Sequence, residues 1–227
     1  MKNNQGGFTL VEIAIVLVII GLLLGGVLKG QELINSAKVK NMVNDFRTAS
    51  ALVYGYQDRF KSFPGDQTQA QLDAAFGVNV ANACAAGAGC ANNNGRVDGN
   101  WNDQAATSET FVFWQHVRLA NLATGATNIA DANYLPRNAD GGRLGVESGV
   151  SAAGVAAPFI RGMRGAFYVC SDGVLGRYVR QIDTTMDDGN TAGGSVQAVP
   201  MGSARGTAPV ATANIVDGQQ YIVCASL

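Results

Sequence analysis

From Phe8 to Leu28 the chain is apolar except for Thr9 and one carboxylate, Glu12. No other feature limits the fold so strongly, because a run of this length must be covered by lipid or by protein. A membrane-crossing helix needs about 20 such residues, so the run is long enough. A secretory signal peptide has a shorter apolar region, roughly 7–15 residues, between a more basic start and a small-residue cleavage site. Here only Lys2 precedes the run as a basic side chain, and no such site follows directly. The segment reads as a membrane helix that stays. Glu12 is its anomaly: a carboxylate near the bilayer interior costs at least ~2.5–3.5 kcal/mol on insertion scales, so it calls for a partner.

The flanking residues give that partner a form. A short polar leader ends in Gly6-Gly7, and Phe8-Thr9-Leu10-Val11-Glu12 opens the apolar run. This arrangement resembles the cleavage and methylation motif of type IV prepilins and type II secretion pseudopilins. The resemblance implies that a prepilin peptidase cuts after Gly7 and N-methylates the new first residue, Phe8. It also makes Glu12 the fifth mature residue, whose carboxylate meets the N-terminal amine of a neighbouring subunit during assembly. Such a pair neutralises two charges in low dielectric and fixes axial register. The plainer alternative has Glu12 snorkelling to the headgroups of an anchor helix.

Beyond the apolar run the helical pattern continues without proline as far as Pro64. Val39, Val43, Phe46, Ala49, Val53, Tyr56 and Phe60 recur in steps of three and four, one face of an amphipathic helix. Lys40, Asn44, Arg47, Thr48 and Asp58 take the other side. Phe63-Pro64-Gly65-Asp66 ends it, since the residue before a proline is pushed out of the helical region. At about 1.5 Å per residue the helix from Phe8 to Phe60 measures about 80 Å. Four parts follow: a leader over 1–7, a membrane part over 8–28, an amphipathic part over 29–60, and a head over 61–227. Pilins often carry a proline where this chain has Lys29, so Gly25-Gly26 are the candidate loosening point of the helix.

The head is expected to be a small antiparallel sheet packed against the long helix, an α+β, pilin-like arrangement. Residues 67–80 read as a short helix, 81–102 as a loop rich in alanine, glycine and asparagine, and a further helix starts near Ser108-Glu109 and runs through Leu119. Gly125 is the candidate C-terminal cap of that helix. Residues 124–160 show no clear periodicity. Ala166-Phe167-Tyr168-Val169-Cys170 and Gln220-Tyr221-Ile222-Val223-Cys224 look alike, both rich in strand formers and both ending in cysteine. Between them Leu175, Tyr178, Val179 and Ile182 fit a short helix, and Asp187-Asp188-Gly189-Asn190 a turn.

Four cysteines, Cys84, Cys90, Cys170 and Cys224, all lie beyond the membrane segment. An even count on one side argues for disulfides in an oxidising compartment. Three connectivities exist; matching local context favours Cys84–Cys90 and Cys170–Cys224. Zinc is a poor rival, because no Cys-x2-Cys spacing occurs and His116 is the sole histidine. Lysines at 29, 38 and 40 outnumber the single Lys2 before the span, which weakly places the C-terminal side in the cytoplasm. The cysteines and the leader motif argue the opposite orientation: single-pass in the inner membrane, head outward.

Charge is nearly balanced, Lys plus Arg 16 against Asp plus Glu 17, so nothing in it points to a nucleic-acid partner. One loop counts like a calcium loop. Asp98, Asn100, Asn102, Gln104 and Glu109 occupy ligand positions 1, 3, 5, 7 and 12 of an EF-hand, though Asp103 stands where that loop has glycine. Its rival is a polar turn followed by a carboxylate favoured at a helix N-terminus. Asp183, Asp187 and Asp188 form a second acidic group with two readings, a cation site or, the favoured one, caps that shape a turn with Gly189 as its left-handed residue. No nucleophile elbow, phosphate-cradling loop or dinucleotide fingerprint occurs, and His116 sits in an apolar helical stretch, so no enzymatic role is expected.

These readings converge on a structural subunit of a type IV pilus-like filament, stored in the inner membrane and polymerised through its N-terminal helix outside the cell or in the periplasm. Its expected partners are identical or related pilin subunits, the prepilin peptidase and an inner-membrane assembly platform; no cofactor is expected beyond the candidate calcium. A type II secretion pseudopilin is the alternative within this class. A membrane-anchored binding or enzyme domain that never polymerises is the alternative outside it.

Overall fold

The computed structural model describes residues 9–87 and 89–227. Helix α1 covers Leu10–Phe60, and contacts divide the chain into a unit ending at Lys38 and a second unit, Val39–Leu227. From Leu10 to Leu28 the helix is apolar on every side apart from Glu12, and its side chains are exposed, Leu10 by 86% and Leu22 by 73%. This stretch is long and apolar enough to cross a membrane. From Val39 onward α1 belongs to the second unit and buries one stripe: Val39, Met42, Val43, Phe46, Ala49, Leu52, Val53 and Tyr56. Lys40, Asn44, Arg47, Thr48 and Asp58 are exposed on the other side. The stripe is the expected one, widened by Met42 and Leu52.

Helix α1 stops at Phe60, with Lys61 in the left-handed region (φ 55°) just before Pro64. Helix α2, Gln69–Phe76, is shorter than the 67–80 expected. Thr68 caps it by accepting from the Gln71 N–H, while Gln71 reaches back to the Thr68 N–H. Helix α3, Glu109–Leu119, lies where the sequence placed it. Its terminus differs. Asn121, in the left-handed conformation (φ 58°), closes the helix in place of Gly125. The Asn121 N–H bonds to Arg118 O and the Leu122 N–H to Val117 O, each at 3.0 Å. This is a Schellman closure in which asparagine, tolerant of positive φ, takes the glycine's place.

Four strands form one antiparallel sheet in the order β1-β2-β4-β3: β1 Leu144–Glu147, β2 Tyr168–Leu175, β3 Val196–Pro200 and β4 Gln220–Ser226. Helix α4, Gly176–Met186, follows β2 directly. The two cysteine-ended segments are the central pair, with Cys170 opposite Cys224. A bulge between Ser171 and Val174 extends β2 past the cysteine, with Gly173 at φ 69°. Strand β1 arises within 124–160, the stretch without clear periodicity, and strand β3 in a stretch for which the sequence predicts no element.

Side-chain alternation splits the sheet between two cores. On β4, Tyr221, Val223 and Ala225 join the main core with α1, α3 and α4, while Ile222 and Cys224 join a second cluster. That second cluster holds Trp101, Phe159, Ile160 and Met163. Loops are fixed to the sheet by buried ion pairs. Glu147, fully buried, accepts the N–H groups of Trp101 and Phe159 and pairs with Arg205; Arg143 pairs with Asp172 at 3.0 Å.

Candidate functional site

At the N-terminus, Glu12 is exposed and folds back on Thr9. The Thr9 N–H and hydroxyl each donate to Glu12 Oε2 at 2.7 Å, and the Glu12 N–H donates to Thr9 Oγ1 at 3.3 Å. This reciprocal Thr-x-x-Glu arrangement is a capping box at the first turn of α1. Glu12 therefore has an intrachain task, satisfying N–H groups that the helix leaves open, besides any partner on another subunit. Gly7 and Phe8, the expected cleavage and methylation positions, lie outside the described residues.

Both disulfides join the expected partners, Cys84 to Cys90 and Cys170 to Cys224. The second links residues 54 apart across directly paired strands, with Cα atoms 4.0 Å apart. The first closes the alanine- and glycine-rich loop that precedes α3.

The residues counted as a calcium loop are only partly brought together. Asp98 and Glu109 meet: Glu109 Oε2 accepts the Asp98 N–H and Oε1 accepts the Ala91 N–H, both at 2.8 Å. The side chain of Asn100 binds Asp103 and Arg205. Asn102 offers its carbonyl to Arg143, and Gln104 is exposed on a groove beside Arg137 and Arg143. Glu109 is spent on backbone donors and is fully buried at the start of α3.

A third carboxylate completes this cluster, and the sequence reading took it only as part of a helix stop. Asp66 Oδ1 and Oδ2 accept the N–H groups of Asn94 and Gly95 at 2.9 and 2.8 Å. Asn93 (φ 65°) and Gly95 (φ 78°) give the loop the left-handed turns that aim successive N–H groups at one anion. Asp98 Oδ2 accepts from Asn94 Nδ2 at 2.7 Å, while its buried Oδ1 has no hydrogen-bond partner among the described residues. Burial pushes the Glu109 carboxyl up to about 8, with repulsion from Asp98 and Asp66 adding to it. Asp66 is likewise raised, chiefly by burial. The sequence signal for Asp66 itself was an acidic residue just after the proline stop; the loop that encloses it lies nearly thirty residues away.

His116 is fully buried and held at both nitrogens. Nδ1 accepts the Gly65 N–H and the Nε2–H bonds to Asn82 O, each at 2.9 Å. Burial lowers its pKa to about 4, so the ring is neutral at physiological pH and acts as a clamp between Gly65 and Asn82.

Residues 2–28 match the family model of the prokaryotic N-terminal methylation motif. No curated protein matches the chain. The matched residues hold the Gly-Phe-Thr-Leu-Val-Glu run, and the apolar, exposed part of α1 continues from it. This chain therefore carries the prepilin-type N-terminal methylation motif typical of type IV pilins and type II pseudopilins, joined to a pilin-like α+β head.

Proposed function

We propose that the protein is a structural subunit of a type IV pilus-like filament. In this reading a prepilin peptidase cleaves after Gly7 and methylates Phe8. The inner membrane then holds residues 8–28 with the head outward, and an assembly platform moves the subunit into a filament of identical or related pilins. One observation carries the reading: from Leu10 to Leu28 the large apolar side chains of α1 are exposed among the described residues, behind a matched methylation motif. Lipid covers such a surface in storage, and neighbouring helices cover it in a filament. At about 25 cal/mol per Å², each 100 Å² or so removed from water contributes about 2.5 kcal/mol, so helix packing supplies the cohesion.

Glu12 is assigned two roles, the cap on Thr9 and an ion pair with the N-terminal amine of the next subunit. Two substitutions separate them. Glu12→Gln keeps an acceptor for the Thr9 donors and removes the charge, whereas Glu12→Ala removes both. Both variants are expected to insert and to be incorporated poorly into filaments, measured as the ratio of sheared surface protein to membrane protein. Normal incorporation of Glu12→Gln beside a defective Glu12→Ala would move the requirement to the cap.

Intact mass of both fractions tests the wider reading. Loss of Met1–Gly7, one added methyl and four oxidised cysteines are expected, with abundant protein in the sheared fraction. A processed form confined to membranes would identify a pseudopilin or a minor subunit. An unprocessed chain would sink the assignment.

A further inference from the structure

We propose that Asp183, Asp187 and Asp188 form a binding site for a calcium-class divalent cation between helix α4 and strand β3. One oxygen from each of the three carboxylates lies within 4.8 Å of the others. Oxygen ligands stand about 2.3–2.6 Å from calcium, so two on opposite sides of one ion are about 4.6–5.2 Å apart. The three can therefore share an ion without the loop opening. All ligands offered are hard carboxylate oxygens, a chemistry that selects calcium-class ions over zinc or copper.

An independent observation points to a missing partner. Asp183 is fully buried, and its Oδ1 accepts the Gly189 N–H at 2.9 Å. Its Oδ2 is equally enclosed yet has no hydrogen-bond partner among the described residues. Buried polar atoms are nearly always satisfied, and an unsatisfied carboxylate oxygen is among the more costly exceptions. None of the three aspartates forms an ion pair among the described residues. Three neighbouring carboxylates thus lack a counter-charge, and the innermost lacks a ligand. A bound dication supplies both.

Burial is graded across the group, from Asp183, buried, through Asp187, half-buried, to Asp188, exposed. An ion can enter at Asp188 and reach Asp183. The backbone already holds the outer ligands in place: Asp187 Oδ2 accepts the N–H groups of Ser195 and Val196, and Asp188 Oδ1 accepts the Asn190 N–H. Occupancy would tie the end of α4 to the start of β3, inside the chain segment bounded by Cys170 and Cys224. This site is separate from the Asp98–Glu109 loop, where the Glu109 carboxylate is taken by backbone N–H groups, and it does not depend on how the subunit assembles.

The test uses the full chain in detergent micelles, freed of metal and titrated with calcium chloride by calorimetry, with thermal unfolding followed in parallel. Saturable binding of one ion per chain and a raised melting temperature are expected. Asp188→Asn, exposed and still able to accept from Asn190, should weaken binding at least tenfold with an unchanged far-ultraviolet spectrum. Asp187→Asn combined with Asp188→Asn should abolish it. No saturable binding at millimolar calcium would overturn the site, as would undiminished affinity in Asp188→Asn.

Discussion

The two parts of α1 are one helix with opposite relations to solvent. Before Lys38 its apolar side chains are exposed on all sides; after it, one stripe is fully covered and the reverse face is polar. Both parts are rich in helix-compatible apolar residues, so propensity does not separate them. What separates them is arrangement. A ring of apolar residues needs a surrounding apolar medium, whereas a stripe needs one partner surface, and the sheet and α3 provide it. The first part is therefore stabilised by what lies outside the chain and the second by what lies within it.

That contrast breaks most directly at Phe46, fully buried in the main core. Phe46→Ala should destabilise the head by about 3–5 kcal/mol, read from denaturant unfolding in detergent. A loss below about 1 kcal/mol would mean that the stripe is not what joins this part of the helix to the head.

The pH response should come from the head alone. Glu109 titrates at about 8 in the folded chain. An unfolded glutamate ionises near pH 4.3 or so, and between the two values the folded state holds the extra proton. Stability is thus fully present in acid and falls as pH rises through that window, by up to about 1.4 kcal/mol per pH unit. Glu109→Gln should flatten the slope, while its amide, set against the N–H of Ala91 or Asp98, lowers the baseline by about 1–3 kcal/mol. Melting curves between pH 4.5 or so and about 8.5 decide it; an unchanged slope in the variant would assign the response to another group.

The smallest effect is expected at Leu23, exposed on the apolar part of α1. Leu23→Ala should leave head unfolding within about 0.5 kcal/mol, as for a surface position. A larger loss would show that the head and the apolar part stabilise one another and would remove the contrast.

Much of this was readable because it is periodic or local. The stripe from Val39 to Phe60 announced itself by its spacing, α3 by Glu109 and the apolar run after it, and the central strand pair by two similar segments ending in cysteine. Strands β1 and β3 were not readable. They are four and five residues long, and buried side chains follow one another without polar alternation because both faces of the sheet are covered. The acidic cluster was half legible. Asp98 and Glu109 share a loop, but Asp66 reaches them only through tertiary folding, and no spacing rule records that. The count that resembled a calcium loop failed to gather Asn102 and Gln104 for a related reason: the chain between Asp98 and Glu109 is bound by Arg143 and Arg205 from elsewhere in the head.

The Cys170–Cys224 bridge has a mechanical consequence. It joins directly opposed residues of the two central strands, 54 positions apart in the chain. If the head is stretched by its ends, the segment between the cysteines cannot lengthen, whatever happens to the hydrogen bonds within it. At about 3.3–3.6 Å per extended residue, roughly 180–190 Å of contour stays locked away. The remaining chain can yield under load while the end of β2, α4, β3 and most of β4 travel as a closed ring.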